Sequence, residues 1–292
     1  MKKLFCKLPP LQWGAFLSAL IAAVLQTAAS VLDFDEGSNY FIPGTSLSTF
    51  AFVFALLSFG LGLLVVLTGK NNKPILAYPS KFRKLHLFPA IGFPMAFCGL
   101  LANLIPKCLK LWDRHTDGIA FLSELLAGKA ILSFLCPPFL LCAIFYCVNW
   151  AFSKKSDSTS VAIAGLGTII GSALLCAHVY FDMSIEMNAP VKMIVQCGLL
   201  SAMILFTTEL RLPLGKPLPK LTLALSNLVI STASLGATSI PAAFLTGNLY
   251  NDRVDHLLYS IFLLLTIPVA IEHLLNAYAV PCDPDTERTD TL

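Results

Sequence analysis

Eight separate runs of about twenty mostly apolar residues, each bounded by charge, Gly or Pro, leave this chain few ways to fold. A helix needs about 20 such residues to cross the roughly 30 Å hydrocarbon core of a bilayer. The runs cover Leu11 to Leu32, Ser48 to Gly69, Leu87 to Pro106, Ala130 to Phe152, Ser160 to Phe181, Val191 to Glu209, Leu221 to Ile240 and Leu257 to Val280. They are continuously apolar, whereas the strands of a membrane barrel alternate over about ten residues. The expectation is an all-α integral membrane protein, an eight-helix transmembrane bundle formed by one polytopic domain over 1–292.

Composition closes the other routes. Charged residues make up 13% of the chain, against roughly a quarter in a soluble domain, so a water-facing surface cannot be furnished. The 56% hydrophobic content and mean hydropathy of +0.75 exclude disorder. The net charge of +3 comes from 20 basic and 17 acidic residues that gather into no basic face, which excludes a nucleic-acid partner.

Lys and Arg accumulate in cytoplasmic loops. Placing the N-terminus inside puts Lys2, Lys3, Lys7, the Lys70 to His86 loop, Lys154, Lys155, Arg211, Lys216, Lys220 and Arg288 on that side, 14 of the 20 basic residues. The opposite loops carry Asp33, Asp35, Glu36, Asp182, Glu186, Asp252 and Asp255. Both termini are therefore expected in the cytoplasm, with the chain multi-pass in a cell (inner) membrane. The absence of any N-x-S/T acceptor agrees with a bacterial inner membrane. A competing reading takes Lys2, Lys3 and Lys7 before the first run as a secretory signal ending near Thr27 to Ser30; the apolar run is longer than such signals use.

Eight spans with both ends inside halve into two parallel four-helix repeats, 1–153 and 154–280, a common plan among transporters. Phe34-Asp35 and Phe181-Asp182 close the first and fifth spans, and Lys73-Pro74 and Lys216-Pro217 follow the second and sixth. The segment from Lys107 to Lys129, with Trp112, His115 and Asp117, reads as an external loop; its stretch Ile119, Phe121, Leu122, Leu125 and Leu126 reads first as a lead-in to the fourth span and alternatively as a short helix at the membrane surface, with Trp112 at headgroup depth. The tail 281–292 is polar, holds Pro284 and is expected to be flexible.

Ionisable groups inside hydrocarbon are costly and turn toward a bundle interior or cavity. Glu272 is the one acid well inside a run, followed by His273 and, one turn on, Asn276, and it is the leading candidate for a proton or solute site. Its distance from the helix end would let its carboxylate partly reach water. His178 and Asp182 share a helix face at the end of the fifth span and, with Tyr180 and Phe181, read first as an interfacial belt. Asn227, Ser231, Ser234 and Thr238 form a polar stripe on the seventh span; Ser18, Ala22, Gln26 and Ser30 form a narrower one on the first. Such stripes serve helix packing or line a solute path.

Gly167 and Gly171 form a G-x-x-x-G packing face. Cys136-Pro137-Pro138 is expected to kink or interrupt the fourth span. Glu209 and Arg211 read as a cytoplasmic stop with a local ion pair. The nine cysteines form no C-x-x-C pair, and neither a metal site nor a cofactor is indicated. No G-x-S-x-G, H-E-x-x-H or P-loop is present, and paired intramembrane carboxylates or histidines are not visible in the runs, so no enzyme is expected. The favoured expectation is a small-solute, proton-coupled permease. The alternative is a non-catalytic membrane subunit or scaffold docking on a membrane protein partner or on another copy of itself.

Overall fold

A computed structural model describes residues 8–35, 40–42, 46–68, 82–114, 118–127, 131–152, 158–182, 189–247 and 253–278. Lys2, Lys3, Lys7, Glu36, most of the basic loop 70–81, His115, Asp117, Lys154, Lys155, Glu186, Asp252 and the tail 281–292 lie outside them. The helices are α1 (Pro10–Leu32), α2 (Leu47–Thr68), α3 (Leu87–Arg114, entered through a 3-10 turn Arg83–His86), α4 (Gly118–Ala127), α5 (Ile131–Phe152), α6 (Ser158–Phe181), α7 (Pro190–Glu209), α8 (Pro219–Leu245) and α9 (Val254–Tyr278). Phe34–Asp35 and Tyr40–Phe41 pair as a two-residue antiparallel ribbon between α1 and α2.

Among the described residues, eight helices are long and apolar enough to cross a membrane, all but the short α4. Their burial pattern is that of a multi-pass membrane protein. Leu17, Leu20, Leu56, Leu67, Phe152, Ile163 and Leu245 are exposed, while Gln12, Gln26, His86, Lys192, Glu209, Asn227 and Glu272 are buried. In water such an apolar exterior would drive association; in lipid it is the solvated face, and polar groups turn inward.

Two sequence expectations about helix limits are corrected. The third span continues through Pro106 to Arg114, so Lys107, Lys110 and Trp112 stand on a helix and not in a loop. Pro106 sits about five turns in, where one missing amide donor interrupts the ladder without ending it. Of the two readings of the segment after it, the short helix is the one found, α4, whose Phe121 packs edge-on against Trp112 with ring centroids 5.7 Å apart. Likewise α5 runs unbroken through Pro137 and Pro138; a membrane helix carries prolines where local adjustment and nearby side chains re-satisfy the freed carbonyls.

Helix α1 begins at the proximal end of the bundle and finishes at its distal end. Helices α3, α5, α6, α7 and α9 enclose a common interior, with α8 packed against α7 and α9. On the far side of α8 lie α1 and α2, each in contact with it and with each other. Two glycines set the close seams. A Cβ on Gly167 of α6 would meet the Phe139 carbonyl of α5 at 2.7 Å, and one on Gly99 of α3 would meet the Tyr259 ring of α9 at 2.9 Å.

The midsection of the enclosed interior is apolar. Phe93 of α3 lies 5.0 Å from Phe262 of α9 and 5.9 Å from Phe206 of α7, centroid to centroid. Leu140, Leu175, Leu199 and Leu263 are buried with them. This plug separates two polar clusters at opposite ends of the same five helices.

Candidate functional site: a histidine between two buried glutamates

The proximal cluster forms where the 3-10 turn delivers His86 to the mouth of the bundle. His86 is fully buried, and each ring nitrogen faces a carboxylate. Nδ1 lies 2.7 Å from Glu272 Oε2 on α9, and Nε2 is hydrogen-bonded to Glu209 Oε1 at the end of α7. Trp150 of α5 stacks on the imidazole, centroids 4.8 Å apart and planes 24° apart, and donates from Nε1 to Glu272 Oε1 at 3.3 Å. Tyr146, one turn earlier, adds an edge contact to His86 at 6.4 Å. His273 Nε2 stands 3.9 Å from Glu209 Oε1.

The hydrogen-bond pattern constrains the protons. A neutral imidazole donates from one nitrogen and accepts at the other, and an ionised carboxylate only accepts. Two N···O contacts therefore need two protons among the three groups. Either His86 is an imidazolium between two carboxylates, or it is neutral beside one carboxylate and one carboxylic acid. Both states carry a net charge of −1 and interconvert by a proton shift of under an ångström. The Trp150 face favours the imidazolium through the ring quadrupole. A further proton neutralises the triad; loss of one leaves a nitrogen and an oxygen facing each other without a hydrogen. Glu209 Oε2 makes no hydrogen bond among the described residues, so it offers the lone pairs that a third proton would occupy.

Glu272 is thus placed in a buried polar centre, with its neighbour His273 beside Glu209. It does not reach toward water, because it and both its partners are fully buried. Glu209 is not the surface stop read from the sequence. It is fully buried on His86, while Arg211 turns away and donates from Nε to the Lys216 carbonyl at 3.2 Å. Paired carboxylates and paired histidines are therefore present, a correction to their expected absence. They went unseen because His86 lies one residue before an apolar run and Glu209 ends another; only the packing of α3, α7 and α9 brings them together. Asn276 is buried one turn beyond Glu272 on α9.

The distal cluster holds His178 and Asp182, both buried and not in an interfacial belt, whereas Tyr180 between them faces outward. Arg253 grips Asp255 with two bonds, Nε to Oδ1 at 2.9 Å and a terminal nitrogen to Oδ2 at 2.7 Å, and reaches Asp182 Oδ2 at 2.5 Å. Asn103 of α3 donates to Asp182 at 3.1 Å and Asp255 at 2.9 Å, and Lys107 reaches Asp182 Oδ1 at 3.3 Å. Lys192 of α7 donates to the Asp182 carbonyl at 2.8 Å. Burial opposes the charge on Arg253, but its hydrogen bonds and proximity to Asp255 and Asp182 outweigh this and hold the guanidinium above its ordinary range. His178 Nδ1 shares a hydrogen bond with Ser133 of α5 at 2.6 Å.

The polar stripes lie elsewhere, at the seam of α1, α2 and α8. Gln12 donates to Asn227 Oδ1 at 2.7 Å, Thr27 and Thr238 share a hydrogen bond of 2.8 Å, and Ser48 donates to Gln26 Oε1 at 3.4 Å. Ser231 and Ser234 bond back to carbonyls of their own helix, at Leu228 and Ser231. Among the described residues, the hydrogen bonds of Gln26, Asn227, Ser231 and Ser234 stay within α1, α2 and α8, and none reaches Glu272 or His178. Gln12 belongs to this seam although the four-residue repeat on α1 does not include it. Comparison of the chain with protein-family models, with curated proteins and with solved structures gives no match.

Proposed function

We propose that this chain is a proton-coupled permease for a small solute, seated in a cell membrane with both termini in the cytoplasm, and that the Glu209–His86–Glu272 triad is its proton carrier. The observation that carries the reading is the imidazole bonded at both nitrogens to fully buried carboxylates. Burying such a set costs several kcal/mol per ion before pairing, and intramembrane ionisable groups of this kind serve proton and solute paths. A triad whose charge moves between −1 and 0 by one proton is suited to couple protonation to helix movement. Neutralising it weakens the tie between α3, α7 and α9, and restoring the charge draws them together. By the positive-inside bias, the proximal end that holds the triad faces the cytoplasm.

The test uses protein reconstituted in liposomes enclosing a pH-sensitive dye, challenged with a panel of small solutes under an imposed pH gradient. Solute-linked proton movement is expected in the wild type and is expected to disappear in Glu272→Gln and Glu209→Gln at equal reconstitution. Solute entry indifferent to the gradient, or unchanged in both variants, would remove the triad from the mechanism. A partner protein co-purifying at fixed stoichiometry with protein that moves no solute would favour the subunit reading.

A further inference from the structure

Beneath the ion pairs of the distal end lies a group of buried polar atoms that the network leaves over. Among the described residues, His178 Nε2, His256 Nδ1 and Tyr259 Oη make no hydrogen bond, nor does Asn103 Oδ1. All three rings are over nine-tenths buried, and they cluster: His178 lies 6.5 Å and His256 6.1 Å from the Tyr259 ring, centroid to centroid. They come from α6 and α9, and Ser133 of α5 orients His178 through its other nitrogen. A buried polar group without a partner bears its full desolvation cost, and three in one place are not explained by helix packing, which here is carried by apolar side chains and Gly99.

The chemistry of the leftover atoms is lopsided. A neutral imidazole can present an N–H and a tyrosine an O–H, so three atoms can donate where one, Asn103 Oδ1, can only accept. Above them the described cations Lys107, Lys192 and Arg253 outnumber the carboxylates Asp182 and Asp255. Arg253 holds both carboxylates in a fork that a planar carboxylate of a solute would match equally well.

We propose that the distal cluster is the solute site of the permease and that it takes a small carboxylate, seated under Arg253 on a floor of His178, His256 and Tyr259. The site is closed here: Arg253 is bonded to Asp182 at the end of α6 and to Asp255 at the start of α9 and so clasps the two helices over the floor, while Phe93, Phe206 and Phe262 close it below. Admission of the solute exchanges the Asp182 carboxylate on Arg253 for that of the guest, leaving Asp182 to Lys107 and Asn103. This rests on the permease reading, because a site shut from both ends serves a solute only if the helices can part.

Purified protein in detergent is titrated with acetate, lactate and pyruvate, with acetamide and lactamide, and with methylammonium, at ionic strength matched by chloride, and its unfolding temperature is followed. The carboxylates are expected to raise it in a saturable way and the amides are not. Tyr259→Phe is expected to leave the unliganded protein at least as stable as wild type, since the lost hydroxyl has no partner among the described residues and its desolvation cost is relieved, and to raise the half-saturating concentration about tenfold, the equivalent of roughly 1.4 kcal/mol. Stabilisation by none of the carboxylates, by acetamide as strongly as by acetate, or equally in wild type and Tyr259→Phe, overturns the proposal. So does stabilisation by methylammonium alone, which would point to Asp182 and Asp255 receiving an amine. Unliganded Tyr259→Phe that is markedly less stable, with no carboxylate effect in wild type, means that bridging waters alone occupy the floor. The two readings fail separately. Carboxylate binding without Glu272-dependent proton movement sinks only the proton coupling, and Glu272-dependent proton movement with another solute, absent carboxylate binding, sinks only the substrate class.

Discussion

The indole of Trp150 covers the imidazole of His86, with centroids 4.8 Å apart, and the same side chain donates to Glu272. One residue of α5 therefore holds the ring and one of the two carboxylates that flank it. Trp150→Phe keeps an aromatic face over His86 and deletes the donor; a loss of about 1.5–3 kcal/mol is expected for a bond to a charged group. Trp150→Ala removes the stack as well and is expected to lose about 3–5 kcal/mol. Unfolding in one detergent by heat or denaturant checks both, and a Phe variant as stable as wild type would discard the hydrogen bond.

His86→Ala leaves Glu209 and Glu272 facing each other without the imidazole. Breaking a buried ion pair from one side costs about 3–5 kcal/mol, and a loss of that size is expected. Adding Glu209→Gln and Glu272→Gln to His86→Ala removes the repulsion and is expected to recover most of it. A triple variant no more stable than His86→Ala would show that the His86 ring matters for its volume and not for its charge.

At the opposite seam, Gln12 and Asn227 share a buried hydrogen bond of 2.7 Å between α1 and α8. A double-mutant cycle through Gln12→Ala and Asn227→Ala is expected to yield a coupling of about 0.6 kcal/mol, at most about 1.7, as for other interhelical pairs in membranes. The same variants are expected to leave the proton movements of the permease assay intact, because α1 and α8 lie outside the ring of α3, α5, α6, α7 and α9 that holds both clusters. Abolished proton movement in a stable Asn227→Ala would place the stripe on the solute path.

Helix α6 approaches α5 so closely at Gly167 that a Cβ there would lie 2.5 Å from Cys142 Cβ and 2.7 Å from the Phe139 carbonyl. Gly167→Leu is expected to lose at least the roughly 1–3 kcal/mol of an overpacked site. Gly60 of α2 supplies the control, since nothing among the described residues lies within 4 Å of a Cβ there. Gly60→Leu is expected to fall within about 0.5 kcal/mol of wild type. Similar losses in both would count against close packing of α5 on α6.

The eight membrane-length helices were legible from hydropathy alone, because the hydrocarbon thickness imposes a length and the cost of an unpaired backbone group in lipid imposes the helix. Glu272 stood out for the same reason, as a charge where charge is expensive. Its partners did not. His86 and Glu209 sit at the borders of their runs, where a charged residue is cheap and ordinary, and Trp150 near the end of α5 reads like any aromatic at a membrane interface. His256 and Tyr259, one turn into α9, carry no sign of their shared floor with His178 of α6. Hydropathy depends on each residue's own neighbours along the chain, whereas a site depends on which faces of distant helices meet. That choice is made by small residues such as Gly99 and Gly167, whose close approaches bring α3 against α9 and α5 against α6, and so assemble two polar clusters across an apolar plug.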